Sequence, residues 1–485
     1  MYLGIDIGTS AVKAVLVDEH DTAADQASAP LSVSRPHEGW SEQNPADWWA
    51  ATNAAVTALD AKLRKRVRAA GLSGQMHGAT LLDASDRVLR PAILWNDGRS
   101  EAECAELEAR APQSRAITGN LAMPGFTAPK LIWVKKHEPE VFAATRTVLL
   151  PKDYVRLRMT GEKATDLSDA AGTLWVDVAR RAWSAPMLAA CDLSEAHMPR
   201  LCEGPEPTGV LRSELAEAWG MARVPVAAGG GDNAAGAVGV GVINPGEAFL
   251  SLGTSGVLFL ANKTFLPNPA RAVHAFCHAL PHRWHQMTVM LSAASCVDWA
   301  ARATGAGGAA ALFERLTARA RMDGPEIFLP YLSGERTPHN DPHARGVLFG
   351  LTHDSDGEAI GQTVLEGVAF AFADGLDALV EAGAEVGQIS VIGGGARSAW
   401  WGKVLAAALG RMLVYRQGSE TGPAFGAARL ARLAVTGENA ADVCLPPPIA
   451  AIVEPDARDM EILSPKRAKF ARLYGDLRAR FRGEV

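Results

Sequence analysis

The sequence predicts an α/β protein of two domains, and three observations support this prediction. Short apolar runs typical of strands alternate with amphipathic stretches typical of helices, which is the pattern of an α/β architecture. The chain has 485 residues, which is more than a single hydrophobic core usually accommodates. A strand–turn–strand pattern near the N-terminus also recurs about halfway along the chain.

The first strand–turn–strand pattern predicts a hairpin at the N-terminus. Residues 2–7 are apolar apart from Asp6. The turn sequence Gly-Thr-Ser at residues 8–10 separates them from a second apolar run at residues 12–17. A carboxylate inside an apolar strand needs a partner, so we expect Asp6 to have a role. Because Mg²⁺ keeps several of its waters in proteins, Asp6 is a candidate ligand that contacts this ion through water.

An amphipathic stretch follows this hairpin. Its apolar stripe predicts one helix over residues 44–63, with Pro45 near the start. Strand-like residues 67–71 then lead into a loop at residues 73–78. A further strand pair precedes a loop at residues 95–99. Strands and helices therefore alternate through this part of the chain.

The hairpin pattern starts again at residues 247–261, where Gly-Thr-Ser at residues 253–255 separates two apolar runs. Turn-forming residues are frequent just before it, at residues 239–246. We therefore predict a first domain over residues 1–242 and a second domain over residues 243–485.

Two interpretations of the repeated turns remain open. Ordinary hairpin turns need no ligand. A pair of facing hairpins could instead offer backbone N–H groups and hydroxyls to one phosphate chain from two sides. The candidate phosphate-binding residues are Gly8, Thr9, Ser10, Gly253, Thr254 and Ser255.

A glycine-rich loop follows a predicted strand at residues 224–228. Three glycines precede Asp232, which lies at the predicted start of a helix. Asp232 could be an N-cap residue, which is a common use of aspartate. It could also be a general base at the carboxyl end of a strand, where open α/β sheets place their ligands. The local sequence leaves both interpretations open.

A second glycine run lies at residues 393–395, between a predicted strand and a helix that starts near Trp400. Glycines at the end of a strand allow a flat ligand to approach the backbone, which is compatible with a nucleoside site. The alternative is a tight turn between the strand and the helix.

Histidine and cysteine side chains are dense between residues 274 and 285, which invites a zinc interpretation. The segment instead predicts two short strands around Pro281 and His282, with side chains alternating between the two faces. We therefore do not expect His278, His282 and His285 to converge on a metal ion.

Composition and charge narrow the classes of function. Hydrophobic residues make up 48% of the chain and charged residues 21%, which is typical of soluble globular proteins. The formal net charge of −6 argues against a nucleic-acid partner, because backbone binding needs clustered positive charge. A nucleotide site stays compatible with this charge. The chain has neither a G-x-x-x-x-G-K-[ST] loop nor a dinucleotide-binding G-x-G-x-x-G, so a bound nucleotide would be held by another design.

The sequence also bears on the compartment. No apolar run is long enough to span a bilayer, and the first residues do not resemble a signal peptide. The six cysteines are scattered and form no C-x-x-C pair, which indicates reduced thiols. We expect a cytoplasmic protein with no membrane partner.

Taken together, these residues resemble the FGGY family of carbohydrate kinases, and the resemblance covers essentially the whole chain. It implies two ribonuclease-H-like domains of the actin-like ATPase type, which close over a central cleft between them. The motifs that carry it are residues 4–10 (Gly-Ile-Asp-Ile-Gly-Thr-Ser), 125–133 (Gly-Phe-Thr-Ala-Pro-Lys-Leu-Ile-Trp), 229–233 (Gly-Gly-Gly-Asp-Asn), 252–255 (Leu-Gly-Thr-Ser), 331–338 (Tyr-Leu-Ser-Gly-Glu-Arg-Thr-Pro) and 393–398 (Gly-Gly-Gly-Ala-Arg-Ser).

The resemblance implies a role for several residues of the cleft. It makes Asp232 the catalytic base and Asp6 the carboxylate near the metal and the phosphates. The sugar is expected to lie in the first domain, and ATP in the second. The implied sugar-binding residues are Met76, His77, Asp232 and Asn233, the second phosphate loop is Gly253, Thr254 and Ser255, and the nucleoside is held near Gly394, Gly395 and Arg397.

The expected substrate also follows from the resemblance. Residues 75–78, 95–99 and 117–120 resemble those of family members that phosphorylate D-xylulose, rather than those of glycerol kinases. This implies ATP and Mg²⁺ as cofactors and D-xylulose 5-phosphate as the product, within xylose catabolism. Another ketopentose such as ribulose remains an alternative, as does an actin-like ATPase module without a sugar substrate. Family members are often dimeric, so a homodimer is one expectation.

Overall fold

The computed structural model describes residues 1–417 and 422–484, without the side chains of Ala396 and Arg397. Up to residue 242, the strands are β1 (Tyr2–Ile7), β2 (Ala11–Val17), β3 (Ala23–Pro30), β4 (Glu42–Gln43), β5 (Ala69–Gly74), β6 (Thr80–Leu82), β7 (Ala92–Ile93), β8 (Thr147–Leu149), β9 (Ala164–Asp166), β10 (Val176–Asp177), β11 (Ala182–Trp183), β12 (Arg200–Cys202), β13 (Pro207–Val210), β14 (Pro225–Ala227) and β15 (Gly230–Gly231). The α-helices of this part are α1 (Pro45–Ala58), α2 (Ala61–Arg64), α3 (Glu101–Arg110), α4 (Ser114–Thr118), α5 (Thr127–His137), α6 (Pro139–Ala144), α7 (Pro151–Thr160), α8 (Leu167–Ala171), α9 (Ala185–Ala190), α10 (Ser213–Ala218) and α11 (Asp232–Val240).

The rest of the chain continues the alternation. Its strands are β16 (Ala248–Leu252), β17 (Gly256–Asn262), β18 (His274–Cys277), β19 (Trp284–Met290), β20 (Ile327–Leu329), β21 (Val347–Phe349), β22 (Ile389–Ile392), β23 (Leu413–Arg416) and β24 (Ile449–Val453). Its α-helices are α12 (Ala294–Ala303), α13 (Ala309–Arg319), α14 (Gly357–Glu381), α15 (Ala399–Leu409), α16 (Gly422–Thr436), α17 (Ala440–Val443) and α18 (Ala457–Phe481). Short 3₁₀ helices occur at Glu195–His197, Pro269–Arg271 and Gly394–Arg397.

The first sheet has seven strands in the order β13-β14-β5-β1-β2-β3, with β15 beside β5. Strands β1 and β2 form the predicted antiparallel hairpin, in which Asp6 lies opposite Lys13. Strands β14 and β5 run parallel to each other, and β5 is parallel to β1. The carboxyl ends of these three strands therefore meet at one edge of the sheet. The loops that follow them carry Thr9, Met76 and Asp232, so the candidate site lies at this edge.

The second sheet also has seven strands and repeats the central arrangement of the first. Its order is β18-β19-β17-β16-β22-β23-β24. Strands β16 and β17 form an antiparallel hairpin, and β16 pairs in parallel with β22, as β1 does with β5. The α/β architecture and the repeated hairpin predicted from the sequence are thus confirmed. The boundary between residues 242 and 243 falls in the connection between α11 and β16 and stays a prediction.

The helix predicted over residues 44–63 is wrong in its extent. The structure has two helices instead, α1 and α2, with Leu59 and Asp60 between them. The Asp60 side chain accepts hydrogen bonds from the N–H groups of Lys62 and Leu63, so it caps a new helix rather than continuing the old one. Aspartate at this position favours the break because its side chain competes for backbone donors.

Helix α16 belongs to the second half of the chain but packs against the first sheet. Its backbone approaches strands β1 and β5 so closely that only glycine fits beneath it. A Cβ atom added at Gly4 would lie 1.8 Å from the carbonyl oxygen of Ala424, and one added at Gly71 would lie 2.0 Å from that of Ala427. The buried Arg429 of α16 also donates to the carbonyl oxygen of Val238, at 2.7 Å. The two halves are therefore interlocked.

A mixed apolar cluster also joins the two halves of the chain behind the candidate site. It combines Phe126 and Leu131 of the first half with Phe276 and Met287 of the second. Within residues 1–417 and 422–484, no helix is long and apolar enough to cross a membrane.

Candidate active site

Asp232 is the first residue of helix α11, and Gly231 precedes it as the N-cap residue. Asp232 is therefore not the N-cap, which was one of its two interpretations. Its Oδ1 accepts hydrogen bonds from the backbone N–H of Asn233 at 2.7 Å and from the Asn233 side chain at 2.9 Å. Burial raises the pKa of Asp232 to about 6, although the two bonds from Asn233 lower it. At neutral pH, the group is thus a carboxylate with more basicity than an ordinary aspartate.

Asp6 lies near Asp232 at the same edge of the sheet. Its Oδ1 is buried and has no hydrogen-bond partner in the described part of the chain. Burial and, to a smaller extent, the charge of Asp232 together raise the pKa of Asp6 to about 7. A buried carboxylate beside a second negative charge favours a nearby cation, so Asp6 fits a Mg²⁺ ion held through water. The described residues contain no group of three or more His, Cys, Asp or Glu side chains arranged for a metal.

A prediction on stability follows from Asp6. A carboxyl group whose pKa is raised by folding stabilises the fold when protonated, and this contribution is lost as pH rises from about 4 to about 7. We expect Asp6→Asn to raise the thermal midpoint at pH 8, where the wild type buries a charge, and to change it little at pH 4. Differential scanning calorimetry at both pH values without Mg²⁺ measures this. Equal midpoints at pH 8 would contradict the burial of a charged Asp6.

His77 follows strand β5 and adopts a left-handed backbone conformation, with φ of 70°. Its Nδ1 lies 2.7 Å from the carbonyl oxygen of Gly172, which only accepts, so Nδ1 carries the proton. Burial and, to a smaller extent, the charge of Lys130 together lower the pKa of His77 to about 3. The ring is therefore neutral, and its Nε2 is an acceptor. The Lys130 ammonium holds the loop by donating to the carbonyl oxygens of His77 at 3.0 Å and Gly125 at 2.7 Å.

Met76 links this loop to the loop of the candidate base. A Cβ atom added at Gly231 would lie 3.1 Å from the Met76 sulfur, and one at Gly172 would lie 2.8 Å from its terminal methyl. The structure thus brings Met76, His77 and the N-terminus of α11 together, as the sequence predicted for sugar-binding residues. Their roles stay predictions.

The first Gly-Thr-Ser turn contacts the loop at residues 95–99. The Thr9 hydroxyl accepts a hydrogen bond from the Trp95 indole at 3.0 Å and donates to Gln75 Oε1 at 3.0 Å. A hydroxyl has one proton, so Thr9 gives its proton to Gln75 in this arrangement. Ser10, at the tip of the turn, is exposed. The N–H of Gly8 already donates to the carbonyl oxygen of Ala11 at 3.0 Å, so the turn can offer a phosphate the N–H groups of Thr9 and Ser10 and the Ser10 hydroxyl.

The second Gly-Thr-Ser turn is exposed at Thr254 and Ser255. The start of helix α12 fixes it from behind. The Thr254 carbonyl oxygen accepts from the Ala293 N–H at 2.9 Å and from the Ser295 hydroxyl at 2.8 Å, and the Gly253 carbonyl oxygen accepts from Ala294 N–H at 2.9 Å. The carbonyl oxygens of this turn are thus held by α12, while its tip faces solvent.

The glycine run after strand β22 forms the short helix Gly394–Arg397. Gly393 has a φ of 92° and approaches Leu252 at the end of β16, where an added Cβ would lie 2.9 Å from the Leu252 carbonyl oxygen. At Gly394, an added Cβ would meet no atom within 4 Å, whereas Gly395 is buried against Leu252. The free space at Gly394, beside the second hairpin, is compatible with a bound nucleoside. The side chain of Arg397, predicted to contact it, lies outside the described part of the chain.

Among the histidines at residues 274–285, His278 and His285 have ring centroids 6.1 Å apart and both contact Phe259, whereas His282 is exposed. Strands β18 and β19 confirm the two strands predicted around Pro281 and His282. His274 Nδ1 lies 3.3 Å from the Asn120 side-chain oxygen, whereas His285 stacks on Phe259 with ring centroids 4.4 Å apart.

A small cavity next to His77 is lined by residues from both halves of the chain. Such a site is expected in a cleft between two domains. The lining side chains are His77, Trp95, Met123, Phe126, His274 and Arg336.

A fully buried lysine side chain lies behind the site. Lys152 of helix α7 has its Nζ 2.6 Å from Asp153, 2.8 Å from Asp166 and 3.3 Å from Asp169, and all four side chains are inaccessible to solvent. Burial raises the pKa of Asp169 well above its usual value. Lys152 is thus the centre of a charge network inside the first half.

This network reaches the candidate base through one short helix. Asp166 caps α8 by accepting from the Ser168 N–H at 2.8 Å. The Ser168 hydroxyl accepts in turn from the N–H of Gly231 at 3.1 Å. Since Gly231 directly precedes Asp232, the buried network helps to fix where α11 begins.

Sequence reasoning did not assign a role to several residues of the site. The sequence places His274 only in the histidine-rich segment at residues 274–285, and Arg336 only in the motif at residues 331–338. The Lys152 network was missed entirely. The sequence signal that could have identified Lys152 is its position next to Asp153 within a helical stretch. Charged side chains of this kind need partners if the helix is buried.

Comparison with known proteins agrees with this arrangement. Residues 1–239 match the N-terminal domain of the FGGY family of carbohydrate kinases, and residues 248–435 match its C-terminal domain. A protein named xylulose kinase from Escherichia coli K12 is 57% identical over 479 residues, which cover 98% of this chain and 99% of the relative.

Solved structures are similar as well. The crystal structure of a protein described as a "xyloylose kinase" from Brucella ovis has a TM-score of 0.96 and 52% identity, with 99% of each chain covered. The structure of xylulose kinase from Rhodospirillum rubrum has a TM-score of 0.91 and 29% identity, again with 99% of each chain covered. The two-domain α/β kinase fold implied by the sequence motifs is thereby confirmed.

Proposed function

Because the chain belongs to the FGGY family of carbohydrate kinases, we propose that it transfers the γ-phosphoryl group of ATP to D-xylulose, giving D-xylulose 5-phosphate and ADP in xylose catabolism. The identities to the xylulose kinases of E. coli and B. ovis support the sugar. The observation that supports the chemistry is the position of Asp232. This carboxylate has a raised pKa and lies at the same edge of the first sheet as Met76.

Asp232 is the general base in this proposal. Its Oδ1 is held by the two bonds from Asn233, so we assign Oδ2 as the atom that takes the proton of the C5 hydroxyl. A base within hydrogen-bond reach of the acceptor contributes about 10²–10⁴-fold to such a transfer. Asn233, Met76 and His77 then orient the sugar.

The two hairpins and the glycine run hold ATP in this proposal. Asp6 would hold Mg²⁺ through water, and the ion would supply positive charge that neutralises the phosphates. The proposed phosphate contacts are Gly8, Thr9, Ser10, Gly253, Thr254 and Ser255, and the nucleoside contacts are Gly394, Gly395 and Arg397. Closure of the cleft over both substrates would exclude water.

The finer assignments complete the proposal. We place the domain boundary between residues 242 and 243, with sugar binding before it and ATP binding after it. We place the enzyme in the cytoplasm, where ATP is available, and propose a homodimer. Sedimentation of the purified full chain measures the assembly directly.

The raised pKa of Asp232 predicts a pH dependence. A base must be deprotonated to act, so we expect kcat/KM for the sugar to fall tenfold per pH unit below about pH 6. Above that pH, the carboxylate is formed and kcat/KM is expected to level off. A profile from pH 5 to 9, with the coupling enzymes in excess at each pH, measures this. A flat profile down to pH 5 would argue against Asp232 as the base.

The proposed substrate is tested with a panel of sugars. ATP turnover is measured with D-xylulose, D-ribulose, L-ribulose, D-fructose and glycerol, and the position of the phosphate is determined by NMR. We expect the highest kcat/KM for D-xylulose, with phosphate on C5. A higher kcat/KM for ribulose would support a sugar kinase whose substrate is ribulose rather than D-xylulose. ATP hydrolysis unaffected by every sugar would indicate an ATPase module instead.

A further inference from the structure

We propose that Arg336 binds the keto oxygen of the sugar and so selects ketoses over sugar alcohols. This inference rests on the proposed function, which supplies a ketopentose phosphorylated at C5. Arg336 comes from the second half of the chain and lines the cavity beside His77 and Trp95.

The chemistry of the substrate requires a carbonyl in the site. A ketopentose closes its five-membered ring through the C5 hydroxyl. Phosphorylation of that hydroxyl therefore needs the open-chain form, in which C2 is a free ketone. A ketone oxygen accepts hydrogen bonds and donates none, so the protein must supply a donor.

The two histidines of the cavity are acceptors, not donors, on the ring atoms that remain available. His77 Nδ1 carries the proton toward the carbonyl oxygen of Gly172, which leaves Nε2 as an acceptor. His274 Nδ1 faces the side-chain oxygen of Asn120, because the Asn120 amide nitrogen donates to the Ala275 carbonyl oxygen at 2.9 Å. Its Nε2 is likewise an acceptor. These two atoms suit sugar hydroxyls, which can donate.

The remaining aromatic donor of the cavity is already engaged. The Trp95 indole N–H donates to the Thr9 hydroxyl at 3.0 Å. Arg336 differs, since its guanidinium has no hydrogen-bond acceptor and no ion-pair partner among residues 1–417 and 422–484. A partly buried guanidinium without a partner is costly unless a ligand supplies the acceptor.

The backbone around Arg336 is fixed, which keeps the guanidinium at the cavity. Oε1 of the neighbouring Glu335 accepts from the N–H groups of Leu291 at 2.9 Å and of Arg336 itself at 2.7 Å, whereas its Oε2 has no hydrogen-bond partner among the described residues. The Thr337 hydroxyl donates to the carbonyl oxygen of Ala272 at 3.0 Å. Arg336 therefore faces the ligand from an anchored segment.

The test uses the full-length enzyme and sugars that differ at C2 alone. D-xylulose carries the ketone, whereas xylitol and D-arabinitol carry a hydroxyl in its place. We expect Arg336→Met to lower kcat/KM for D-xylulose by about 10²-fold or more, because a site built to bond a polar group discriminates strongly. The values for the two alditols should change by less than about fivefold. The matched control is Arg302→Met, an exposed arginine of α12, which should change neither.

Sugar binding measured without ATP gives a second test that does not depend on turnover. Calorimetry is expected to show weaker binding of D-xylulose, but not of xylitol, to Arg336→Met, and partial recovery in Arg336→Lys. Equal losses for ketose and alditols would overturn the proposal, as would an unchanged D-xylulose affinity. If the wild type fails to phosphorylate D-xylulose but the Arg336 variants still lose ketone binding, the proposed function fails and this inference stands.

Discussion

Asp232→Asn is expected to lower kcat with D-xylulose by about 10²–10⁴-fold while the protein stays folded. The substitution keeps the size of the side chain and removes its basicity. The raised pKa of Asp232 comes from burial, so an uncharged amide should be tolerated in the same place. The affinity for the sugar should change little, because Met76 and His77 keep their positions.

Turnover and thermal midpoint of Asp232→Asn are measured together with those of Asp298→Asn, an exposed carboxylate on α12. The control should behave as the wild type in both measurements. Near-normal turnover of a folded Asp232→Asn enzyme would refute the assignment of the base. A loss confined to KM would instead make Asp232 a binding residue only.

Lys152→Met is expected to have the largest effect on stability, lowering the free energy of unfolding by about 3–5 kcal/mol. Removing the cation leaves the buried Asp166 carboxylate without its ion-pair partner, and it leaves Asp153 with only Arg156, whose Nη2 lies 3.8 Å away. The loss arises because charges without partners in the interior are strongly unfavourable, not because the ion pairs are strong in themselves.

Chemical denaturation monitored by tryptophan fluorescence measures this change. The matched control is Lys62→Met, an exposed lysine of α2, which should change the free energy of unfolding by less than about 0.5 kcal/mol. If Lys152→Met lowered the free energy of unfolding by less than about 1 kcal/mol, the buried carboxylates would not depend on Lys152 for their stability. Reduced kcat in protein that is still folded would be consistent with the contact from Ser168 to Gly231.

The parts of the fold that follow from local sequence were predictable. Both Gly-Thr-Ser turns and the glycine loop before Asp232 are short patterns whose residue types dictate a turn or a strand end. They place the candidate phosphate contacts and the candidate base without any knowledge of the fold. The local sequence leaves Asp232 open between a cap and a base, and only the family resemblance favours the base. The structure excludes the N-cap, because Gly231 occupies that position, and the role of base stays a prediction.

Contacts between distant parts of the chain were not predictable in this way. Arg336 reaches a cavity formed largely by residues 77–126, and no local pattern encodes that meeting. The break at Asp60 was missed because an apolar stripe continues across it, although aspartate favours a cap. Helix α16 has an ordinary helical pattern, and nothing in it identifies the first sheet as its partner.

The packing of α16 on the first sheet has a consequence for how this protein folds during its synthesis. Strands β1 and β5 leave the ribosome early, but the helix that covers Gly4 and Gly71 ends only at Thr436. At about 5–20 residues per second, on the order of ten seconds or more separate them. During that interval, the nascent chain exposes an apolar sheet face that other proteins could bind. The first sheet can therefore complete its packing only when translation is nearly finished.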